Sequence, residues 1–279
     1  MERITSGGLR MPKLGLGTWR MRGAACQAAA ERALELGYRH VDTAQMYGNE
    51  DAVGAALRAS GVARDEVHVT SKVWHDRLTP AGMQRALDES LAALGCDYLD
   101  LYLVHWPSPA MDLPRVVETL VGFRAAGRVR AIGVSNFPVA LLRQAAALAE
   151  GAIACNQVEY HVLLDQSAVL EAARALGVAV VAYAPLAQGR LADYPALQRV
   201  AAKHGATPAQ VALKWLLDQQ GVGAIPKAAR AESQRANLEA LRLALDDDDR
   251  AAIAGLPKDQ RFVNPDWAPE WDPPQRRAG

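Results

Sequence analysis

Four side-chain types at the ends of three apolar runs could together move a proton. Asp42 closes one run and Tyr47 follows it in Asp42-Thr43-Ala44-Gln45-Met46-Tyr47-Gly48. Lys72 ends His68-Val69-Thr70-Ser71-Lys72, and His105 follows Leu101-Tyr102-Leu103-Val104. A phenol with an ordinary pKa of ~10 is a poor acid at neutral pH, and a neighbouring ammonium favours its phenolate form. The pattern therefore predicts that Lys72 lowers the Tyr47 pKa, that Asp42 holds Lys72 charged and oriented, and that His105 hydrogen-bonds a substrate oxygen. Singly, each residue has an ordinary reading: a capping aspartate, a solvated lysine, a loop tyrosine, a satisfied core histidine. A lysine that follows Val-Thr-Ser at a strand end needs a partner if it is buried, and Asp42 is the carboxylate available.

Such a set suits protonation of an oxygen that is becoming an alkoxide. It is not a nucleophile set, because Gly133-Val134-Ser135-Asn136-Phe137 lacks the last glycine of a nucleophile elbow. His75 and His105 show no HExxH or comparable spacing, so no metal site is expected. No Tyr-x-x-x-Lys of the short-chain dehydrogenase type occurs. Reducing a carbonyl also requires hydride, which no side chain supplies, so a nicotinamide cofactor is implied. Ser135, Asn136 and Gln157 could bind a carboxamide, Tyr183 could stack on a nicotinamide ring, and Lys227 could meet a phosphate.

The elements that must carry these groups alternate along the chain. Strand-like runs fall at Leu14–Trp19, Tyr38–Asp42, Val67–Lys72, Tyr98–His105, Val129–Asn136, Ala154–Glu159, Val178–Tyr183 and Val222–Pro226. Between them lie Ala- and Leu-rich stretches with helical periodicity, such as Ala24–Leu36 and Gln84–Leu94. Gly37, Gly95, Gly127 and Gly177 are placed to stop helices. Thr79-Pro80 and Thr207-Pro208 read as N-cap plus N1 proline, with Gln210 completing a capping box. Asp246 to Asp249 precede Arg250-Ala251-Ala252-Ile253 and read as a helix start rather than a metal cluster. Eight strand–helix repeats predict an α/β fold, a (β/α)8 TIM barrel whose site lies at the C-terminal strand ends. A Rossmann sheet would want G-x-G-x-x-G after its first strand, and Gly15-Leu16-Gly17-Thr18-Trp19-Arg20 lacks the third glycine.

The chain has 279 residues, 50% of them hydrophobic, with 31 basic and 31 acidic side chains. That balance argues against nucleic-acid or anionic-membrane partners. No apolar run approaches the ~20 residues of a membrane span, and the N-terminus lacks a signal-peptide h-region. Cys26, Cys96 and Cys155 are odd in number and widely spaced, which fits a reducing cytoplasm. One domain over residues 1–279 is expected. The Pro- and Trp-rich tail, 257–279, is expected to lie over the barrel mouth as a lid, since it suits neither helix nor central strand.

At these residues the chain closely resembles the aldo-keto reductases. The matching segments are Leu14–Trp19, Asp42–Glu50, Ser71–Trp74, Val104–Pro107, Gly133–Phe137, Asn156–His161, Tyr183–Leu186 and Ile225–Lys227. The resemblance implies a tetrad of Asp42, Tyr47, Lys72 and His105 with Tyr47 as proton donor. It implies carboxamide contacts from Ser135, Asn136 and Gln157, stacking by Tyr183, and pyrophosphate contacts from Leu186 and Gln188 in a loop that Asp193 borders. It also implies an N-terminal hairpin at Ile4–Met11. The tail segments Phe262–Pro265 and Ala268–Asp272 resemble the branch of the family that reduces 2,5-diketo-D-gluconate, methylglyoxal and related small aldehydes. Trp19, Trp74 and Trp106, with His105 and with Phe137 nearby, would then wall a compact substrate pocket.

One departure bears on the cofactor. Many members carry Lys-Ser after the eighth strand, then Arg, Glu and Asn at six, nine and ten residues beyond that lysine. Here those positions read Lys227-Ala228, Ser233, Ala236 and Asn237. Arg230 and Arg235 offer substitute charge, so NADPH is expected over NADH, with NADH possible. The expected partner is a small-molecule carbonyl and the expected state a monomer. The competing reading is a nucleotide-sensing regulatory barrel with little catalysis, which an intact tetrad argues against.

Overall fold

A computed structural model describes residues 2–273. Two antiparallel strands, β1 (Arg3–Ser6) and β2 (Leu9–Pro12), form the N-terminal hairpin. Eight parallel strands follow: β3 (Leu16–Gly17), β4 (His40–Asp42), β5 (His68–Val73), β6 (Leu99–Val104), β7 (Val129–Ser135), β8 (Ile153–Glu159), β9 (Ala179–Tyr183) and β10 (Val222–Ala224). They are hydrogen-bonded in chain order from β3 to β10. The first and last meet through parallel bridges from Leu14 to Ala224 and from Gly17 to Lys227. Gly15 N donates to Ala224 O at 2.9 Å and Gly17 N to Pro226 O at 3.1 Å. A Cβ at Gly17 would lie 2.5 Å from the Ile225 carbonyl oxygen, so only glycine lets the two strands approach this closely. The expected α/β (β/α)8 barrel and hairpin are both present.

The helices are α1 (Gly23–Glu35), α2 (Glu50–Ala59), α3 (Pro80–Leu94), α4 (Leu113–Ala125), α5 (Val139–Leu148), α6 (Ser167–Leu176), α7 (Pro195–Lys203), α8 (Pro208–Leu217), α9 (Ala231–Glu239) and α10 (Asp247–Ala254). Their ends follow the local chemistry. Thr79 caps α3 through the Gly82 N–H, and Gly95 stops it with φ 64°. Thr207 and Gln210 make the expected capping box on α8. The acidic run is a helix start, as expected: Asp246 is the N-cap of α10, Asp247 to Asp249 form the first turn, and Asp246 and Asp249 cap each other reciprocally. Both also take Lys203 as an ion-pair partner.

Every residue of β5, β6 and β8 is buried, as a parallel sheet covered on both faces requires. Leu101, Leu103, Ala131, Cys155, Ala179 and Val181 fill the barrel interior, where Ile4, Leu9 and Met11 of the hairpin join them and close its floor. Val41, Val69, Tyr102, Ile132 and Val180 pack outward with the helices. Strand ends at the mouth therefore have a rigid backing, and side chains just past those ends are held rather than free.

The tail from 257 to 273 has no helix or strand. Lys258 Nζ donates to the carbonyls of Val162 at 2.6 Å and Ile253 at 2.9 Å. Residues 274–279 of the segment expected to form a lid lie outside the described residues.

Candidate active site

Asp42 ends β4, and the chain then folds through a 3₁₀ turn, Gln45–Tyr47, that returns Tyr47 over the neighbouring strand ends. Two side chains brace the turn. Thr43 Oγ1 donates to Asn49 Oδ1 at 2.6 Å, and Asn49 Nδ2 donates to the carbonyls of Thr18 at 3.0 Å and Met21 at 2.9 Å. Lys72 enters from β5, fully buried, and its ammonium donates to Asp42 Oδ1 at 2.5 Å, to Thr43 O at 2.8 Å and to the Tyr47 hydroxyl at 3.4 Å. An ammonium has three donors, and all three are engaged. Gln157 Nε2 donates to the other Asp42 oxygen at 2.8 Å. His105 stands edge-on to the Tyr47 ring, centroids 5.6 Å apart. The four residues expected to act together do converge.

The electrostatics differ from expectation at one of them. Burial and then the Asp42 carboxylate push the Tyr47 phenol well above its ordinary pKa, whereas the sequence predicts a Lys72-driven decrease. Burial is the larger cause, and the Lys72 ammonium lies closer to Asp42, at 2.5 Å, than to the phenol, at 3.4 Å. Lys72 itself is lowered, because burial outweighs the opposing attraction of Asp42. Burial, then Lys72 and His75, hold His105 well below its ordinary range, so its imidazole is neutral and carries one N–H. The site thus presents a protonated phenol, a neutral imidazole and a compensated ammonium.

Aromatic rings surround this group. Trp19 lies 4.8 Å from Tyr47 between centroids, and Trp74 lies 5.0 Å from His105. From the tail, Trp267 stacks on His75 at 4.5 Å and meets Trp106 at 5.1 Å and Trp74 at 5.8 Å. Trp271 meets Trp106 at 5.9 Å. Phe137, expected beside this wall, is instead fully buried in the core against the helices.

The strand ends from β7 to β10 carry the residues expected at a nucleotide. Ser135 Oγ donates to Gln157 O at 2.7 Å. Asn136, in the left-handed region at φ 62°, donates through Nδ2 to His105 O at 3.0 Å, and its Oδ1 accepts the Tyr183 hydroxyl at 2.7 Å. The Tyr183 ring is thereby fixed in orientation. The loop after β9 holds Ala184, Ala187, Gln188 and Gly189 at φ 47°, 46°, 53° and 87°. That winding turns the Ala187 and Gly189 N–H groups onto the Ala184 and Leu186 carbonyls, each at 2.9 Å, and fixes the shape of the loop. Leu186 is half-buried in that loop, while Gln188 and Asp193 are exposed. Lys227 and Arg230 are exposed after β10, and Arg230 is the N-cap of α9 but makes no side-chain cap, which leaves the helix's first N–H groups for an anion. Asn237 is buried, with its side chain on the Tyr38 hydroxyl. A fixed ring and an uncapped helix with exposed cations beside it fit a nicotinamide dinucleotide.

The model of the Aldo/keto reductase family matches residues 13–257. The chain belongs to that family. It is 42% identical to methylglyoxal reductase DkgB of Salmonella typhimurium over 268 residues, covering 95% of this chain and all of that protein. The DkgB of Escherichia coli O157:H7 is 41% identical over the same length. A solved structure assigned as a 2,5-diketo-D-gluconic acid reductase B superimposes with TM-score 0.95 at 42% identity, covering 98% of each chain. The thermostable aldo-keto reductase Tm1743, solved with the inhibitor epalrestat, gives 0.86 at 35% identity, covering 91% of this chain and 99% of its own. This aldo/keto reductase is accordingly an oxidoreductase acting on carbonyl compounds, in a family that generally uses NAD(P)H. A purely regulatory barrel is set aside. Among the described residues no helix is long and apolar enough to cross a membrane.

Sequence reasoning missed several contributors. Thr43 accepts from Lys72 through its backbone, which no residue type announces. His75 and Trp267 form the stack that joins tail to barrel. Glu159 closes β8 with its carboxylate buried. An acidic residue ending an apolar run was the signal that singled out Asp42, and it applied equally to Glu159.

Proposed function

We propose that this aldo/keto reductase is an NADPH-dependent carbonyl reductase of small aldehydes, α-dicarbonyls such as methylglyoxal, or keto-sugar acids such as 2,5-diketo-D-gluconate. The observation that carries the chemistry is one ammonium, Lys72 Nζ, shared between Asp42 at 2.5 Å and the Tyr47 hydroxyl at 3.4 Å. A nicotinamide held beside these residues would supply the hydride that reduction of the carbonyl requires. The His105 N–H orients the carbonyl oxygen, and Tyr47 gives that oxygen its proton as negative charge develops. An alkoxide is a far stronger base than a phenolate, so a phenol of raised pKa still donates downhill and stays protonated until needed. Lys72 then faces the phenolate left behind, which water re-protonates. Asp42 and Gln157 hold the ammonium and its counter-charge in place. Trp19, Trp74 and Trp106 exclude water from the reacting oxygen, and the tail lies over Trp74 and Trp106 as a lid.

On the cofactor side, Ser135, Asn136 and Gln157 would take the carboxamide, Tyr183 would stack on the ring, and Leu186 and Gln188 would face the pyrophosphate. Lys227 and Arg230 meet the 2′-phosphate in place of the arginine that many members carry at position 233, and Asn237 supports that end from α9. The three cysteines are free thiols. With balanced charge, they suit a cytoplasmic monomer.

Tyr47→Phe removes the donated proton and leaves the cofactor residues in place. Turnover of methylglyoxal with NADPH should fall ~10²-fold or more. NADPH affinity, read by fluorescence titration, should stay within about twofold, a small change on the tenfold-per-1.4 kcal/mol scale. Near-normal turnover in this variant would remove Tyr47 from the role. Running NADH beside NADPH against methylglyoxal, simple aldehydes and 2,5-diketo-D-gluconate ranks the substrates, and equal rates with NADH would exclude the proposed 2′-phosphate contact.

A further inference from the structure

We propose that Glu159 is a positioning residue for the substrate side of the site: its buried carboxylate clamps the tail so that Trp267 stands against Trp74 and Trp106. Which carbonyls fit is then set partly from β8. The selectivity half of this proposal rests on the substrate wall described under Proposed function.

Glu159 ends β8 with no exposed surface and accepts three hydrogen bonds. Phe262 N donates to Oε1 at 2.8 Å and Val263 N donates to Oε2 at 2.9 Å. The third donor is His161. The Leu163 N–H donates to His161 Nδ1 at 3.3 Å, so Nδ1 accepts and Nε2 carries the proton, which points at Glu159 Oε1 over 3.0 Å. A buried carboxylate needs such partners, and two of the three come from the tail. The clamp is tightened by packing. The Phe262 ring stacks on His161 at 5.2 Å, and the Arg190 guanidinium lies 4.5 Å from the same ring.

The segment from the clamp to Trp267 is short and braced. Asn264 Oδ1 accepts the Trp271 indole N–H at 2.7 Å, and Ala268 N donates to Pro265 O at 2.8 Å, turning the chain around Trp267. Beyond it, Asp272 Oδ2 accepts the Val139 N–H at 2.9 Å at the start of α5. Trp267 therefore sits between two anchored points of the tail, Val263 on Glu159 and Asp272 on Val139, and Val263 is the nearer along the chain. Glu159 is also paired in register with Tyr183 of β9, so an effect through the cofactor ring must be told apart from one through the tail.

Glu159→Gln keeps the volume but sets an amide N–H₂ against one of the tail's N–H groups. Amide exchange at Phe262 and Val263 should quicken about tenfold, reporting local opening. KM for methylglyoxal should rise about tenfold with kcat held within about threefold, and kcat/KM for a bulky aromatic aldehyde should gain relative to methylglyoxal. Trp267→Ala should give the same selectivity change, and the double variant should add little to either alone. Unchanged exchange, additive effects, or a drop in NADPH affinity exceeding the change in KM would overturn the proposal. If Glu159→Gln does not fold, Phe262→Ala tests the clamp from the tail side and must produce the same rise in KM and the same faster exchange at Val263. The exchange readout needs no turnover, so a protein that reduces none of these carbonyls refutes the substrate reading while the clamp is still judged by exchange.

Discussion

At the barrel mouth Asp42 holds Lys72, and at the barrel floor Asp100 holds Arg64 at 2.8 Å and Arg130 at 3.2 Å. Both carboxylates are buried and both face cations, yet the balance of forces is opposite. Burial works against the Arg64 charge but Asp100 more than offsets it, so the guanidinium is held above its ordinary pKa. At the mouth burial wins and Lys72 is held below its own. At the floor Val69 N also donates to Asp100 at 3.0 Å, and both guanidiniums lie over the Tyr98 ring, at 4.3 and 4.0 Å. The mouth cluster keeps its third ammonium donor on a phenol rather than on a second carboxylate. A pair whose cation is held above its ordinary pKa holds structure together, whereas a pair whose cation is held below it beside a titratable hydroxyl is poised for reaction.

The sharpest way to break this contrast is at Lys72. Lys72→Met leaves the phenol without a nearby cation and should reduce single-turnover reduction by about 10³-fold, the scale of losing a charge aimed at a developing oxyanion. A loss below tenfold would mean the mouth pair is as structural as the floor pair.

Next in size is an acid effect centred on the floor. β4 and β5 both begin with histidine, and the rings of His40 and His68 meet edge-on at 4.9 Å. Burial pushes His40 down to about 4 and His68 well below its ordinary value. Both are neutral in the fold and take up protons once unfolded. Their stabilisation is therefore complete above about pH 6.5 and is lost as pH falls towards 4, with His40 alone contributing about 3 kcal/mol. His105 at the mouth adds in the same direction. Urea unfolding midpoints should drop steadily across that window, and most of the slope should survive in His105→Gln. A flat midpoint, or a slope abolished by that single change, would contradict the account.

The smallest expected effect is Asp100→Asn. It should cost about 1–3 kcal/mol of stability, since the guanidiniums it abandons are partly exposed. kcat per folded molecule should not change. A parallel fall in kcat would show that the two ends of the barrel are coupled.

Much of this was legible before any coordinates, for local reasons. Apolar runs that end in Asp42, Lys72 and His105 mark strand ends, and helix stops such as Gly95 and caps such as Thr79 and Thr207 are set by near neighbours. What was not legible depends on which strands become adjacent. The direction of the Tyr47 shift is not legible because burial dominates it, and burial depends on the whole barrel mouth closing around the ring. Gln157 reads as a carboxamide ligand by position, yet it also supports Asp42 from across the barrel. Phe137 reads as wall from its place after Asn136, but its ring turns outward into the core. Helices α7 and α10 pack on each other beside α8 and add a layer that βα alternation does not announce.

The seam at Gly17 has a kinetic meaning. β3 and β10 lie near opposite ends of the chain, so their pairing is among the most non-local in the molecule, and chains rich in such pairings fold slowly. Every strand between them can pair with the neighbour made just before it, but the ring cannot shut until β10 has been made. The amides of Gly15 and Gly17 should then be the last of the barrel to gain protection during refolding. They also mark the moment at which Lys227, bridged to Gly17, comes to rest beside the rest of the mouth.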